Sequence, residues 1–275
     1  MEVEDQLKSN LIVEASLDTQ LIIIDVLEID PIDYALEGGR EVRPQDYLRI
    51  KKLSNLRSSG MPMSQIFGSK EFWSLNFKVT KDTLTPRADS ETLIETCIKK
   101  IPNTDTNLSI LDLGTGTGCL LLSLLSELPN ATGLGLDISQ EALLVARENA
   151  DKLGFSKRCD LRLSNWTDGI KKSERFDIII SNPPYIGLNE KNTLSPEVKE
   201  HEPDVALFSG EEGLDDYWKI ASQVKTFIKP NGMIIMEIGY KQAATVKEIF
   251  ISAGFNDVSV YKDLGQRDRC LLIKK

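Results

Sequence analysis

The stretch Phe176-Asp177-Ile178-Ile179-Ile180-Ser181-Asn182-Pro183-Pro184-Tyr185 constrains the fold of this chain more than any other. A short run of successive isoleucines between polar residues reads as a strand covered on both faces, which calls for a largely parallel sheet with helices on either side. Two prolines follow at once. Neither can donate to a sheet ladder, so pairing stops and the chain leaves the strand's carboxyl end as a stiff loop. A residue that precedes proline is pushed into an extended conformation, which holds Asn182 with its amide pointing from the sheet. In an open α/β sheet that edge is where ligands bind.

The tip suits one kind of chemistry. The Asn182 side-chain oxygen and the Pro183 carbonyl are acceptors for the two hydrogens of one planar NH2 group, and the Tyr185 ring can stack on the flat group that carries it. A nitrogen conjugated to a carbonyl or a ring is a poor nucleophile, because its lone pair is delocalised; the ~18–20 kcal/mol barrier to amide rotation measures that delocalisation. Two accepted hydrogen bonds return electron density to the nitrogen and hold its lone pair toward an electrophile, which is positioning and electrostatics rather than base catalysis. The bland alternative is a strand-ending Pro-Pro turn with an incidental asparagine, and a second motif weighs against it.

That motif is Gly114-Thr115-Gly116-Thr117-Gly118, between a strand from Leu108 to Leu113 and an apolar helix from Cys119 to Leu128. Strand, glycine turn and helix make a nucleotide-cofactor loop. A second strand, Thr132 to Leu136, ends at Asp137, nineteen residues past Gly118, near the ~20 at which an acidic side chain meets a ribose in such folds. The dinucleotide pattern Gly-x-Gly-x-x-Gly is not met, since its last position falls on Cys119 or Leu121. That departure, with Asp112 two residues before the first glycine, favours S-adenosylmethionine over NAD. Trp166 ends a third strand, Leu161 to Leu163, where its ring could cover an adenine; a core or rim tryptophan explains it nearly as well.

The rest of the second half alternates. A helix from Gln140 to Leu153, a helix from Asp215 to Ile228, a strand from Met233 to Ile238, a helix to Ala253 and strands Val258 to Lys262 and Arg269 to Ile273 complete an α/β sheet. The polar run from Tyr185 to Glu202 reads as a long loop, consistent with a substrate-facing lid that carries His201 as a surface histidine.

Residues 1 to about 70 read as a small helical bundle. Asp18 can cap a helix from Thr19 to Leu27, and Pro31 and Pro44 sit at first-turn positions of two more, the last carrying Tyr47, Ile50, Leu53 and Leu56. Arg49, Lys51, Lys52 and Arg57 on that helix read as a solvated face, with a docking surface as the alternative. Alternation from Phe72 to Thr80 marks a short strand or hairpin. The boundaries expected are therefore 1–70 for the bundle, 71–84 for a hairpin or linker and 85–275 for the α/β domain. At the start of the next helix the dipole explains Asp89 and Glu91 but not Arg87.

A net charge of −9 argues against a broad nucleic-acid or anionic-membrane surface. The four cysteines are scattered and His201 is the one histidine, so no metal site is expected and the cysteines read as reduced, in a cytoplasmic protein. No leader opens the chain and no apolar run approaches the ~18 residues of a membrane span.

These residues resemble the protein-(glutamine-N5) methyltransferases of peptide-chain release factors, the HemK or PrmC family. The likeness covers most of the chain: Gly68-Ser69-Lys70-Glu71-Phe72-Trp73, Thr85-Pro86-Arg87 with Glu91, Asp112 to Gly118, Asp137, Trp166, Asn182 to Tyr185, Glu202-Pro203 with Ala206-Leu207, and Glu237-Ile238-Gly239. It departs at Ala88, where the family usually has proline. Asn-Pro-Pro-Tyr is shared with adenine-N6 DNA methyltransferases, so the flanking segments narrow the substrate. The resemblance implies a class I Rossmann-like methyltransferase domain with a small N-terminal helical substrate-recognition domain. It implies S-adenosylmethionine held by Gly114, Thr115, Gly116, Thr117, Gly118, Asp137, Trp166 and Asn182. The substrate would be a Gly-Gly-Gln glutamine of a release factor, held by Asn182, Pro183, Pro184 and Tyr185, with Asn182, Pro183 and Tyr185 catalytic. A monomer acting in translation termination is expected, without direct nucleic-acid or membrane binding. The alternatives are an adenine-N6 methyltransferase acting on nucleic acid and a non-catalytic adaptor with the same fold.

Overall fold

The computed structural model describes residues 2–36, 39 and 41–275, and the chain divides into two units, Met1–Gly68 with Ser195–His201 and Ser69–Leu194 with Glu202–Lys275. The first unit is helical: α1 (Glu2–Ser9), α2 (Ala15–Leu27), α3 (Pro31–Leu36), α4 (Pro44–Ser58) and α5 (Met63–Phe67). Pro31 and Pro44 open their helices, as a fixed φ and a missing N–H allow. Ile22, Val26 and Ile50 form the core, with Leu53, Met63 and Phe67 packed against it.

Asp18 does not cap α2. The helix starts a turn earlier at Ala15, and Asp18 lies inside it, buried, its Oδ2 accepting from Arg57 Nε at 2.6 Å. A buried guanidinium needs a carboxylate, and that demand outweighs the capping preference. Arg57 consequently leaves the exposed basic face to Arg49, Lys51 and Lys52; its Nη1 donates to Glu197 Oε2 and to the Met61 carbonyl, both at 3.1 Å.

Glu197 comes from the run expected to be an irregular lid. That run instead holds a 3-10 turn, Leu188–Thr193, and the helix Pro196–His201. Ser195-Pro196 is a helix-start signature, and the Ser195 carbonyl accepts from Val198 and Lys199 N–H. His201 is not a surface histidine: it is half-buried, its carbonyl accepts from Gln65 Nε2 at 2.6 Å and its Nε2 is buried without a partner among the described residues.

The second unit opens with a hairpin, β1 (Ser69–Phe72) and β2 (Leu75–Lys78). Its turn residues, Trp73 and Ser74, both have positive φ, the twist that joins two antiparallel strands through a two-residue loop. There follow α6 (Glu91–Ile98), β3 (Ser109–Leu113), α7 (Cys119–Glu127), β4 (Thr132–Asp137), α8 (Gln140–Lys152), β5 (Cys159–Leu163) and β6 (Phe176–Ser181). After α9, the Pro196–His201 helix of the first unit, come α10 (Asp204–Leu207), α11 (Asp215–Val224), β7 (Ile228–Glu237), α12 (Ala243–Ser252), β8 (Asp257–Lys262) and β9 (Asp268–Lys274).

Seven strands form one sheet in the order β5-β4-β3-β6-β7-β9-β8, parallel except for β9, which runs against both neighbours. Ile178 and Ile180 of β6 enter the apolar cluster on one face and Ile179 the cluster on the other, as a strand covered on both faces requires. The helix expected to reach Ile228 stops at Val224; Ile228 opens β7 and pairs with Phe176. Between Ile228 and Met233 the register jumps, so Pro230-Asn231-Gly232 is a bulge within a strand rather than a turn. From β3 the chain winds outward through β4 to β5, then crosses back to lay β6 on the other side of β3. This is the switch point at which such sheets bind ligands.

Candidate active site

A cleft of about 370 Å³ opens at this switch point, lined by residues of the second unit alone, among them the glycine turn, Asp137, Trp166 and Asn182. That volume lies in the range of small-molecule sites, roughly 300–1,000 Å³. The glycine turn is tied to β4, where the Leu136 carbonyl accepts from Gly114 and Thr115 N–H, both at 2.9 Å. Asp137 Oδ2 accepts from Gly116 N at 2.8 Å and Oδ1 from Ser139 N at 2.9 Å. Burial raises its pKa, and these backbone donors work against that rise.

Asp112 is fully buried behind the turn. Its Oδ2 accepts from Thr115 Oγ1 at 2.6 Å, while Oδ1 is buried with no partner among the described residues. Burial pushes its pKa up to about 7, and the neighbouring Asp137 adds to the rise. Asp137 at the end of β4 lines the cleft as an acceptor where such folds meet a ribose hydroxyl pair, while Asp112 braces the turn from behind. The lining, with the glycine turn, Asp137 and Trp166 on one cleft, fits the nucleoside of S-adenosylmethionine.

Trp166 packs against the turn: a Cβ on Gly114 would lie 3.7 Å from its ring, and its Nε1 donates to Asp216 Oδ1 at 3.2 Å. Asn182 donates from Nδ2 to Ser90 Oγ at 3.4 Å. Of the residues expected at the site, the cleft brings together Gly114, Thr115, Gly116, Thr117, Asp137, Trp166, Asn182 and Pro184. Gly118, Pro183 and Tyr185 stand outside its lining. Gly118 packs over Leu122 and Ala146, Pro183 is buried, and the Tyr185 hydroxyl donates to Glu237 Oε1 at 3.3 Å.

Two unexplained residues acquire partners. Arg87 lines the cleft and its Nη2 donates to the buried Glu202 at 2.6 Å; Glu91 accepts from the Trp73 N–H of the hairpin turn at 2.8 Å. Ser90 and Glu237 are the residues that sequence reasoning passed over. Glu237 stood in a family motif without a role, and Ser90 had no reading beside Asp89 and Glu91.

Behind the tip, Gln242 Nε2 donates to the Tyr185 carbonyl at 3.0 Å and to the Gly213 carbonyl at 3.3 Å. Gly213 has φ +73°, and a Cβ there would run into the Tyr185 carbonyl. Gly213→Ala is expected to cost about 1–3 kcal/mol of stability through backbone strain and to displace the tip, so turnover should fall more than cofactor affinity. Thermal unfolding with calorimetry checks this; unchanged melting and rate would refute the packing argument.

The sheet, the glycine turn with its paired acids and the Asn-Pro-Pro-Tyr tip define a Rossmann-like, S-adenosylmethionine-dependent methyltransferase. A methyltransferase-domain family model matches residues 104–262, and a PrmC N-terminal domain model matches residues 1–68. The chain belongs to the release factor glutamine methyltransferase family: it is 38% identical to the release factor glutamine methyltransferase of Caulobacter vibrioides over 98% of this chain and 92% of that protein. It is also 38% identical to a bifunctional methyltransferase of Rickettsia felis over 98% of this chain, and spans only 56% of that longer protein. Among solved structures, a Thermus thermophilus 16S rRNA N2 G1207 methyltransferase in complex with AdoMet and guanosine shares the fold, with a TM-score of 0.54 at 17% identity over 75% of this chain and 49% of that one.

Proposed function

We propose that this chain transfers a methyl group from S-adenosylmethionine to the side-chain amide nitrogen (N5) of a glutamine in the Gly-Gly-Gln motif of peptide-chain release factors. The observation that carries the reading is Asn182 on the same cleft as the glycine turn and Asp137, in a chain of this family. The cofactor supplies an electrophilic methyl group. Gly114 to Gly118, Asp137 and Trp166 would hold it, with Asn182 at its reactive end.

The protein's own work is to make an amide nitrogen attack. Asn182 and the Pro183 carbonyl accept the amide hydrogens and direct the lone pair, Pro184 closes the tip, and Tyr185 fixes its shape through Glu237. No side chain has to take the proton. An N-methylated amide still carrying it is a strong acid and yields it to water. The helical unit is read as the recognition surface for the release factor, and the protein as a cytoplasmic monomer whose four cysteines, free in the structure, stay reduced. No helix among the described residues is long and apolar enough to cross a membrane.

Mass spectrometry of a release factor incubated with enzyme and cofactor should find one methyl group on that glutamine. An unmodified factor, or methylated adenine in DNA offered alongside, would overturn the assignment. Asp137→Ala should weaken S-adenosylmethionine by about 1.5–3 kcal/mol, the scale of charge-assisted hydrogen bonds. Calorimetry on the folded variant reads it, and unchanged affinity would remove Asp137 from the cofactor site.

A further inference from the structure

Glu237 ends β7, the neighbour of β6 in the sheet, and is 1% exposed. Its two oxygens serve two residues that flank the site. Oε1 accepts from the Tyr185 hydroxyl at 3.3 Å and Oε2 from the Ser90 hydroxyl at 2.5 Å. Ser90, also buried, accepts in turn from Asn182 Nδ2 at 3.4 Å. Arg269 lies close but gives its Nε to Asp263, its Nη2 to Asp89 and its Nη1 to the Ile238 carbonyl. A carboxylate buried this deeply costs several kcal/mol unless its partners compensate; here those partners are hydroxyls joined to the tip.

The polarity of this chain of bonds decides which way Asn182 faces. A hydroxyl has one hydrogen. An ionised Glu237 can only accept, so the Ser90 hydrogen goes to it, and only Ser90 lone pairs face Asn182. Lone pairs take the NH2 end of an amide and reject its oxygen, so Oδ1 is turned away from Ser90. A protonated Glu237 can donate to Ser90 instead, which frees the Ser90 hydrogen for the Asn182 oxygen and lets the amide turn over.

We propose that Ser90 and ionised Glu237 are positioning residues that set the orientation of the Asn182 amide and so present its oxygen to the nitrogen being methylated, an inference that rests on the methyl-transfer reading above. The groups facing Glu237 come from five elements. They are Asp89 and Ser90 before α6, Tyr185 of the tip, Tyr217 of α11, which donates to the Glu237 carbonyl at 3.0 Å, Arg269 and Cys270 of β9, and Cys119 at the head of α7. Burial pushes both thiols up to about 12 and both phenols above their ordinary values, so these stay neutral. Burial pushes the Glu237 carboxyl up to about 7, against the pull of Ser90, Arg269 and Tyr185. The sign follows: above that pH Glu237 is ionised and the amide is held; as pH falls through it, the hold is lost and turnover declines.

The test uses the full chain with an intact release factor, measuring kcat and KM across about pH 6 to 8, with cofactor calorimetry and thermal unfolding as controls. Ser90→Ala should lower kcat about 10–100-fold, as losing a partner that orients a functional group does, with KM and cofactor affinity changed less than about threefold. Ser90→Thr, which keeps the hydroxyl, should restore most of the rate. Glu237→Gln, able both to donate and to accept, should be slow and lack the acid limb of the wild-type profile. Wild-type kcat in Ser90→Ala, a Ser90→Thr variant as slow as Ser90→Ala, or an unaltered acid limb in Glu237→Gln would each overturn the proposal. Should the variants not fold, a flat wild-type kcat profile overturns it alone. A wild-type enzyme that methylates no release factor brings down the reaction and this proposal together, whereas an active wild type with an indifferent Ser90→Ala brings down only the positioning role.

Discussion

Asn182→Ala is expected to lower turnover by roughly 10²–10³, the effect of removing one oriented partner of the transition state, with a much smaller change in S-adenosylmethionine binding. The protein itself should tolerate the loss. Asn182 is half-buried, and its one side-chain bond within the described residues is the long donation to Ser90, whose hydroxyl remains satisfied by Glu237. No buried group is orphaned, so the variant isolates chemistry from stability. Asn182→Asp is the informative contrast. It keeps an acceptor but places a carboxylate opposite the Ser90 lone pairs, beside a cleft already lined by Asp137, so it should be slow for a different reason: charge that pairs with the cofactor before reaction rather than during it. Single-turnover kinetics with calorimetry separates the two. Wild-type rates in both variants would place Asn182 outside the reaction.

What could be read from the sequence was whatever a short window encodes. Ile178 to Ile180 announced a buried strand, Pro183 and Pro184 its end, and the glycine turn with Asp137 a cofactor edge, because each signal lies within about 25 residues of its partner in space. The misreadings share the opposite property. Asp18 looked like a cap because Arg57, 39 residues on, is invisible to a window around α2. Arg87 made no sense without Glu202, 115 residues away, and Ser90 drew no reading because Glu237 is 147 residues away. Long-range pairing of buried charge leaves no local periodicity. The helix read as far as Ile228 failed differently: Ile228 already opens β7, which takes in Pro230-Asn231-Gly232 as a bulge, and sheet context overrode local preference. Tyr185 shows the same limit within the site: the hydroxyl bond to Glu237, 52 residues away, leaves no mark in the sequence around the tip.

The helical unit offers the largest stability prediction: Arg57→Ala should destabilise it by about 3–5 kcal/mol, the penalty for breaking a buried pair by removing one partner. Arg57 is 7% exposed, and it joins Asp18 of α2, Glu197 of α9 and the Met61 carbonyl before α5. Its removal leaves the Asp18 carboxylate buried without its cation and frees α9 from its ion pair. Such a loss is a large fraction of the total stability of an ordinary domain, about 5–15 kcal/mol, and the apolar cluster among the described residues centres on Ile22, Val26 and Ile50. Arg57→Lys keeps the charge but lacks the planar fork that reaches three acceptors, so it should fall between wild type and alanine. Removing both charges, Arg57→Met with Asp18→Ala, should recover much of the loss, because no ion is then stranded. Since the cleft is lined by the second unit alone, calorimetry should still find cofactor binding in Arg57→Ala at temperatures where methylation of an intact release factor has gone. Denaturation midpoints equal to wild type in Arg57→Ala would mean the pair contributes nothing. Equal loss of cofactor binding and methylation would mean that the helical unit serves the second unit's stability rather than recognition of the substrate.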